Sequence, residues 1–558
     1  MANISSYRKR FKAMESERSS FIPVYQELSD YHLAHRGRFL TSDRNKGHQR
    51  NTKQINNTSR LAVRTLASGM MAGITSPARP WFRLSSGDSD LDENTAVKKW
   101  LHQVQMIMYK VFSSSNTYNS LHTLYGELGV FGTASMGVFE DFENVIWCRP
   151  YTVGGYVLAA DGKNQIDSFY REYDITVAQC VKQFGIDNCS TAVQHMWESG
   201  NTEAWVTVVH GVEPNDDRDQ ISPLAKDKRF RSVYYENSRQ AKKNGDSGFL
   251  RESGFDDFPI LSPRWDVTAE DIYATDCPGM IALGDVKALQ LAEKRKYQAI
   301  DKLVSPPLQG PSSLKTKMGG AQARAGDIVW TDDPGATLSS IYGNYRPEIG
   351  VIKEEIRDAE GRISKAFYED LFLMLSNSDR RQITAREVAE KHEEKLLMLG
   401  PVLERLHTEL LDGLIDRTYN ILEKNGVLPE PPEALQGTDM DVEYVSVLAQ
   451  AQRLVATGNL ERLTGFAGQV AQIWPDARHK IDALQAVDDF ADALGVDPKV
   501  VRGDEEVQQI QQQEAQAAAQ AQAAEENQQM AATAKDASEI NTQGENGLTA
   551  MMRNAGLA

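Results

Sequence analysis

The spacing of apolar residues predicts two helices that follow one another from Ile349 onward in this 558-residue chain. In the first helix the apolar positions recur at steps of four and three, the seam that a helix presents to a neighbouring helix. These positions are Ile352, Ile356, Ala359, Ile363 and Ala366. Residues 376–382 then hold no aliphatic side chain, which predicts a polar loop. Thr384 and Glu387 follow as the capping box of the second helix.

The second helix is predicted to be long and to end near Gly426. Its apolar stripe consists of Leu399, Leu403, Leu406 and Leu410. Gly400-Pro401 should kink the helix, because proline removes a backbone donor and clashes with the preceding turn.

A further helix is predicted upstream, over residues 278–304. Pro278 suits a first helical position, and the helix has one apolar face made of Met280, Leu283, Val286 and Leu289. Ser305-Pro306-Pro307 ends it, and residues 305–348 form a Gly/Pro-rich insert with one predicted strand at 327–331. Helices of this length reach roughly 30 to 37 Å at 1.5 Å per residue. The two helices that flank the insert can therefore hold it away from the rest of the protein.

The N-terminal half combines predicted helices with short strands. Residues 1–84 are predicted to be helical and to close on TSPARPWFRL, a rigid turn that places Trp81 and Phe82 in a core. A helix is expected over 95–112, and a glycine-rich stretch at 126–139 suits close helix packing before a strand. Strands are predicted over 138–142, 155–158, 168–173, 205–212, 232–235 and 258–265. The predicted fold class is α+β, predominantly helical.

The C-terminal region is predicted to be helical over 444–473 and in a further pair of helices to about residue 502. Residues 508–532 are nearly all Gln, Ala and Glu. These residues are good helix formers but bury little apolar surface alone. This stretch is therefore either disordered or bundled with copies from other subunits, and the residues from about 536 should be mobile.

The net charge of −17 is unevenly distributed. Residues 1–84 contain 15 Lys and Arg against 5 Asp and Glu, a balance of +10, so the remaining residues carry −27. The basic set is suited to phosphate contact, or alternatively to a solvated arm or to ion pairs with the acidic remainder. It consists of Arg36, Arg38, Arg44, Lys46, Arg50 and Lys53. The acidic remainder argues against a protein that grips nucleic acid over its main surface, but not against one past which nucleic acid slides.

The cysteines and the hydropathy of the chain indicate its cellular compartment. The four cysteines are too few and too irregularly spaced for a disulfide framework, so we expect reduced thiols in a cytoplasmic setting. They are Cys148, Cys180, Cys189 and Cys277. No apolar run is long enough to span a bilayer, and the charged N-terminus has no apolar core after it. We therefore expect neither a signal peptide nor a membrane partner.

The sequence has none of the common catalytic motifs. The stretch GPSSLKT at 310–316 lacks the glycine before the lysine that a phosphate-binding loop requires. His392-Glu393-Glu394 lacks the second histidine of a zinc protease, and Cys180 and Cys189 have no zinc spacing. We expect no enzymatic activity, no metal and no cofactor.

Six motifs, in order along the chain, closely resemble the portal protein, or head-to-tail connector, of short-tailed bacteriophages. The resemblance covers about residues 5–500 and is specific because of the number and order of the motifs. They are TSPARPWFRL at 75–84, GVFGTASMGVFED at 129–141, ESGFDDFPILSPRW at 252–265, AFYEDLF at 366–372, ITAREVAEKHEEKLLMLGP at 383–401 and LAQAQR at 448–453.

The resemblance implies a dodecameric ring around a central channel at one vertex of the capsid, assembled in the host cytoplasm. Its implied parts are a wing (1–278), two stem helices (279–304 and 349–372), a small α/β clip (305–348), a channel loop (373–383), wing and crown helices (384–503), a C-terminal barrel helix (504–535) and a flexible tail (536–558).

The resemblance also implies that the ring conducts double-stranded DNA passively during packaging and ejection. Arg380 and Arg381 in the channel loop, beside Asn377 and Ser378, would centre the DNA. The alternative is that the two arginines pair with nearby carboxylates, those of Asp370 or Asp379.

Further partners are implied for the clip and the stem. Lys315, Lys317 and Arg324 would meet the terminase large subunit and later the tail adaptor protein, unless they only solubilise the clip. The major capsid and scaffolding proteins would surround the ring. The seam residues Ile352, Ile356 and Ile363 would form the subunit interface, packing against the adjacent stem.

Two other functions share some of these features. A helical virion adaptor or scaffold needs long helices but no channel, and a DNA-packaging enzyme needs a catalytic site. Electron microscopy separates these alternatives, because only the portal protein should form open rings of about twelve subunits.

Overall fold

The computed structural model describes residues 4–39, 53–88, 91, 94–219, 221–222, 224–237, 248–268, 270–304, 308–309, 339–340, 348–376, 399–435, 441–446, 466, 474, 507, 510–521, 523 and 553. The chain divides into two units, Met1–Phe466 and Ala467–Ala558. Apart from residues 510–521, the helices and sheets of the following paragraphs belong to the first unit.

The described residues ahead of the main sheets include five helices, in agreement with the predicted helical character of this region. They are α1 (Ile4–Arg18), α2 (Ile22–Tyr31), α3 (Thr58–Gly73), α4 (Thr95–Ser114) and α5 (Thr117–Phe131). The Asn94 side chain caps α4 by accepting the backbone N–H of Ala96. The expected glycine packing is confirmed between α3 and α5, where a Cβ on Gly129 would lie 2.7 Å from Leu66.

Two antiparallel sheets follow. The strands are β2 (Ser135–Asp141), β3 (Val145–Tyr151), β4 (Tyr156–Ala160), β5 (Ile166–Thr176), β6 (Trp205–Pro214), β7 (Phe230–Glu236), β8 (Arg251–Phe255) and β9 (Ile260–Leu261). One sheet has the order β3-β2-β9 and the other β4-β5-β6-β7-β8. Two shorter strands in the insert, β10 (Leu308–Gln309) and β11 (Ser339–Ser340), pair with each other. The mixed α and β class is confirmed, but β3, β8 and two short helices, α6 (Val177–Phe184) and α7 (Thr191–Glu198), were not predicted.

The turn at TSPARPWFRL places two aromatic side chains in the core, as predicted. Trp81 is 1% and Phe82 0% exposed, and the hydroxyl of Tyr109 accepts both of their backbone N–H groups at 2.8 and 2.9 Å. Strand β1 (Phe82–Ser85) pairs with β12 (Asp441–Tyr444). The predicted helical start at Tyr444 is therefore wrong, because this residue ends a strand opposite Phe82.

The helices around the insert agree with the prediction, with one correction. Helix α8 spans Pro278–Val304, and α9 spans Ile349–Ala366. A continuous helix over 349–372 was predicted, but the chain breaks at Phe367 and Tyr368, whose φ of 53° is left-handed, and α10 resumes at Glu369–Ser376. The predicted loop therefore cannot begin at residue 373, since its first four positions are helical.

The later helical segment carries the predicted leucine stripe. Residues 399–406 are helical through Pro401, a π-helical turn follows at His407–Leu411, and α11 spans Asp412–Lys424. Leu399, Leu403, Leu406 and Leu410 are all buried. Gly426, with φ 64°, follows the end of α11, as expected for a left-handed helix terminus.

Some predictions concern residues outside the described ranges. These include the strand at 327–331, the capping box at Thr384, and nearly all of 447–509. Residues 510–521, in the Gln/Ala-rich stretch, are helical in a single copy of the chain.

Candidate functional site: the paired helices and the segments they carry

Helices α8 and α9 pack against each other and lie on the main core of the first unit. Val286 and Leu289 on α8 and Ile356 and Ile363 on α9 all belong to this core and are buried. Arg362, near the end of α9, donates from Nε to Oδ1 of Asp285, near the start of α8, at 2.7 Å. This contact fits an antiparallel pair, one helix leading to the insert and the other returning.

Asn56, two residues before α3, fastens both helices to the rest of the protein. Its Nδ2 donates to Oε1 of Glu293 on α8 at 3.2 Å and to Oε1 of Glu360 on α9 at 3.0 Å. Gln290 on α8 accepts the backbone N–H of Ile55 and of Asn56 at 2.6 and 2.8 Å. Because these groups are partly buried, their hydrogen bonds hold the helix pair in one position.

The seam predicted as a subunit interface is instead a contact within the chain. Ile356 and Ile363 are 6% and 0% exposed in a single copy, and Ile352 packs half-buried on the same core. A side chain that its own chain already buries has no surface left for a neighbouring copy. The interface prediction is therefore wrong for Ile356 and Ile363, although the seam was correctly identified as a helix-packing surface.

A second stripe, which we call the outward stripe, lies on the opposite side of α8. It consists of Ile281, Gly284, Ala288 and Leu291, again at steps of three and four, and all four are exposed. Ile281 is 58% and Leu291 49% exposed, and no heavy atom lies within 4 Å of a Cβ built on Gly284. The 3–4 spacing was readable in the sequence, but the choice between the two faces was not.

Residues 377–383 of the proposed channel loop lie outside the described residues, including Asn377, Ser378, Arg380 and Arg381. Its attachment on the N-terminal side is described: Phe367, Leu371 and Phe372 are at most 1% exposed. Phe372 lies so close to α3 that a Cβ on Gly69 would come within 2.3 Å of it. On the C-terminal side the chain re-enters the core at Leu399. Both ends of the 377–398 segment are thus attached to packed helices.

The clip residues Lys315, Lys317 and Arg324 also lie outside the described residues. The described part of the insert is a short antiparallel ladder, in which Leu308 pairs with Ser340 and Gln309 with Ser339. The ladder joins the two ends of the intervening segment.

The basic N-terminal set is partly engaged in ion pairs. Arg36 lies 3.4 Å from Glu127, and Lys53 lies 2.7 Å from Asp30. The alternative of ion pairs with the acidic remainder is confirmed for Arg36, whereas Lys53 pairs within its own N-terminal segment. Arg44, Lys46 and Arg50 lie outside the described residues.

The described part of the chain offers little reactive chemistry. Its four cysteines are buried and free, with 3.7 Å between the sulfurs of Cys180 and Cys189. Burial raises the pKa of the Cys148 thiol to about 11. No group of three or more His, Cys, Asp or Glu side chains within the described ranges is arranged to hold a metal ion. None of the helices described has both the length and the apolarity needed to cross a membrane.

Comparisons with known proteins give the family. Residues 5–501 match the family described as "Bacteriophage head to tail connecting protein". The chain is 44% identical to the portal protein of Salmonella phage epsilon15, covering 98% of each chain. It is also 44% identical to a probable portal protein of Bordetella phage BPP-1, covering 98% of this chain and 97% of that one.

A solved structure of the neck of an empty gene transfer agent particle is also similar, at 11% identity and a TM-score of 0.36, covering 78% of this chain and 93% of that one. The sequence matches extend over nearly the whole chain. The chain therefore belongs to the family of bacteriophage head-to-tail connecting proteins, the portal proteins.

Proposed function

We propose that the chain performs its portal role as a dodecameric ring in which neighbouring subunits pack their paired helices side by side around a channel for double-stranded DNA. The observation that carries this proposal is the outward stripe of α8, which is exposed in one chain and has the spacing of a helix-packing seam. Gly284 and Ala288 would let a neighbouring helix approach closely, while Ile281 and Leu291 would supply the buried apolar area.

The contact would be heterologous, because the outward stripe would meet a different surface of the next subunit. Heterologous contacts generate closed rings when the rotation between subunits allows closure. The outer side of α9 is a suitable partner surface, since it is exposed and carries small residues at Gly350 and Gly361. The antiparallel pair then presents one helix to each neighbour.

The segment between Ser376 and Leu399 would reach the DNA. The core packing of Phe372 and Leu399 supports this role, because it gives the segment two fixed ends. An acidic wall would repel the phosphate backbone and prevent sticking, while Arg380 and Arg381 would centre the duplex. The net charge of −27 on residues 85–558 supplies the acidic excess for such a wall.

The remaining partners follow from the same arrangement. The insert between Leu308 and Ser340 would meet the terminase large subunit during packaging and the tail adaptor protein afterwards, through Lys315, Lys317 and Arg324. The major capsid and scaffolding proteins would contact the outside of the ring. Chemical energy would come from the separate packaging motor, so the chain itself would need no catalytic site.

Electron microscopy and a DNA-packaging assay test the proposal together. The purified protein should form rings of about twelve subunits with an open centre, whereas monomers, filaments or closed discs would contradict the ring. The double variant Arg380→Ala with Arg381→Ala should assemble normally but package or retain less DNA, because the cations that centre the duplex are lost.

A matched control removes two exposed arginines elsewhere, Arg60→Ala with Arg64→Ala on α3. Its net charge equals that of the loop variant, and packaging should remain at the wild-type level. Normal DNA packaging and retention by the Arg380/Arg381 variant would show that the loop is only a connector.

A further inference from the structure

A pocket rich in arginine lies apart from the paired helices, between the segment after α2 and the strands β3 and β5. Its volume is about 470 Å³, which is ample for a small anion with its water shell. Four arginines line it, and we call it the arginine pocket; they are Arg36, Arg38, Arg149 and Arg171.

Arg171 is the most buried of these cations. It sits in the middle of β5, between Tyr156 on β4 and His210 on β6, and is only 7% exposed. Its guanidinium carbon lies 4.2 Å from the ring centre of Tyr173 and 5.1 Å from that of Tyr151. Its Nε is buried and has no hydrogen-bond partner among the described residues.

Arg149, from β3, brings a second positive charge to the same wall. It is half-buried and lies 5.8 Å from the ring of Tyr151, the ring that Arg171 also approaches. Burial, together with the charge of Arg171, lowers the pKa of Arg149. Burial and the charges of both arginines also lower the pKa of His210 well below its ordinary value. The two cations therefore create a positive field that reaches the interior of the sheet.

The carboxylates that line the pocket are engaged elsewhere. Glu127 accepts from Arg36 at 3.4 Å and from the backbone N–H of Val153 at 3.3 Å. Glu172 accepts a hydrogen bond from the side-chain amide of Asn237. Within the described ranges, neither Arg149 nor Arg171 forms an ion pair with a carboxylate. Keeping two guanidinium groups close together and partly dehydrated is unfavourable unless an anion neutralises them.

We propose that the arginine pocket binds a phosphate group through Arg149 and Arg171. Guanidinium donors arranged as a planar fork suit an anion with several oxygens, and phosphate accepts such donors in pairs. The hydroxyls of Tyr151 and Tyr173 are also buried and without hydrogen-bond partners in the described structure. The phosphate comes either free from solution or from the DNA backbone. This proposal does not depend on the ring or on the channel loop.

Isothermal titration calorimetry of the full chain with inorganic phosphate tests the proposal, with chloride keeping the ionic strength constant. The wild type should bind phosphate saturably at one site per chain. Arg171→Met should weaken binding about tenfold or more, since it removes charge-assisted hydrogen bonds. Arg60→Met removes an exposed arginine outside the pocket and should bind like the wild type.

Two further variants keep the test decisive if Arg171→Met does not fold. Arg149→Met removes the less buried cation and should also weaken binding. Arg171→Lys keeps the charge but loses the planar fork, so its affinity should lie between those of the wild type and Arg171→Met. Circular dichroism of each variant establishes that it is folded.

A competition experiment distinguishes the two sources of phosphate. If the DNA backbone occupies the pocket, a short duplex should displace inorganic phosphate from the wild type, and Arg171→Met should bind the duplex less well than Arg60→Met. If free phosphate is the ligand, the duplex should not compete.

Two results would overturn the proposal. One is the absence of saturable phosphate binding to the folded wild type, or equal binding by Arg171→Met. The other is that separated subunits bind phosphate but the assembled protein does not, even without added DNA. In that case a carboxylate from a second copy would be the ligand of the arginines.

Discussion

At the scale of single residues, Glu127 joins two parts of the chain that are distant in sequence. The residue is 3% exposed, and its carboxylate reaches both Arg36 and the backbone of Val153. Burial raises its pKa to about 7, and the nearby Arg36 opposes this rise only in part. Between about pH 4.5 and 7 the folded chain therefore binds more protons at this site than the unfolded chain does.

This pKa predicts how stability depends on pH. Because the folded pKa is raised, the free energy of unfolding should fall as pH rises from about 4.5 to 7, by roughly 3 kcal/mol from this group, and then level off. Glu127→Gln has no ionisable group at this position, so its free energy of unfolding should lack this dependence on pH. Urea unfolding of separated subunits between pH 5 and 8 measures it.

The exposed Glu143→Gln provides the control and should keep the wild-type dependence on pH. If the free energy of unfolding changed with pH in the same way for the wild type and Glu127→Gln, the carboxyl of Glu127 would titrate in the folded chain as it does in the unfolded one.

Gly69 leads to a second prediction at the residue scale. A methyl group at this position would meet Phe372, so Gly69→Ala should destabilise the chain by about 1 to 3 kcal/mol despite the better helix propensity of alanine. Gly126→Ala adds the same methyl group within α5, where the nearest atom would lie 3.8 Å away in ordinary contact, and should be neutral or slightly stabilising. Thermal unfolding compares the two variants. Equal melting temperatures would mean that α10 does not pack on α3 as described.

At the scale of elements, α8 carries two seams on opposite sides. One contains Val286 and Leu289 and packs inside the chain, while the other contains Ile281 and Leu291 and remains exposed. A helix that is apolar on two sides is expected where it lies between two neighbours. The described part of the chain provides only one of them.

The outward stripe can be tested by substitution. Ile281→Glu with Leu291→Glu should leave folded subunits that no longer assemble, because charged side chains would have to be buried in the contact. The control is Ile221→Glu with Leu224→Glu, the same two changes at side chains that are 92% and 55% exposed. Sedimentation velocity separates rings from single subunits. If Ile281→Glu with Leu291→Glu still forms rings, the contact between subunits lies elsewhere.

The sequence predicted elements whose signals are local and missed those that depend on distant partners. The bounds of α8 were read correctly because Pro278 and Ser305-Pro306-Pro307 mark both ends. The break at Tyr368 was missed since a left-handed non-glycine residue is held there by its surroundings. Helix α6 had a readable signal that was overlooked, the capping box of Thr176 and Gln179.

For the candidate site too, the sequence predicted features with local signals and missed those that depend on distant residues. Periodicity identified Ile356 and Ile363 as a packing surface, but it could not specify which chain would cover them. Strand β12 could not be recognised at Tyr444, because its partner lies at Phe82, far back in the sequence. The arginine pocket has no sequence motif, since Arg149 and Arg171 lie on strands of two different sheets and meet only through tertiary packing.

At the scale of the whole molecule, the Gln/Ala-rich stretch adds little to the fold of a single chain. Residues 510–521 are helical, and nearly all are exposed. Removing everything after Arg502 should therefore leave ring assembly intact, as measured by electron microscopy. Loss of rings would show that this stretch is needed to bring subunits together.

A longer deletion from residue 441 onward also removes β12 and should prevent correct folding.

The pairing of β1 with β12 has a consequence for the timing of synthesis. Strand β1 ends at Ser85, and its partner begins at Asp441. At about 5 to 20 residues per second, a ribosome needs roughly 20 to 70 s to make the chain between them. During this interval the edge of β1 has no partner strand, and nearby buried side chains such as Trp81 lack part of their cover. Each subunit can therefore complete its core only late in translation, and until then the exposed strand edge and apolar side chains make the nascent chain prone to aggregation.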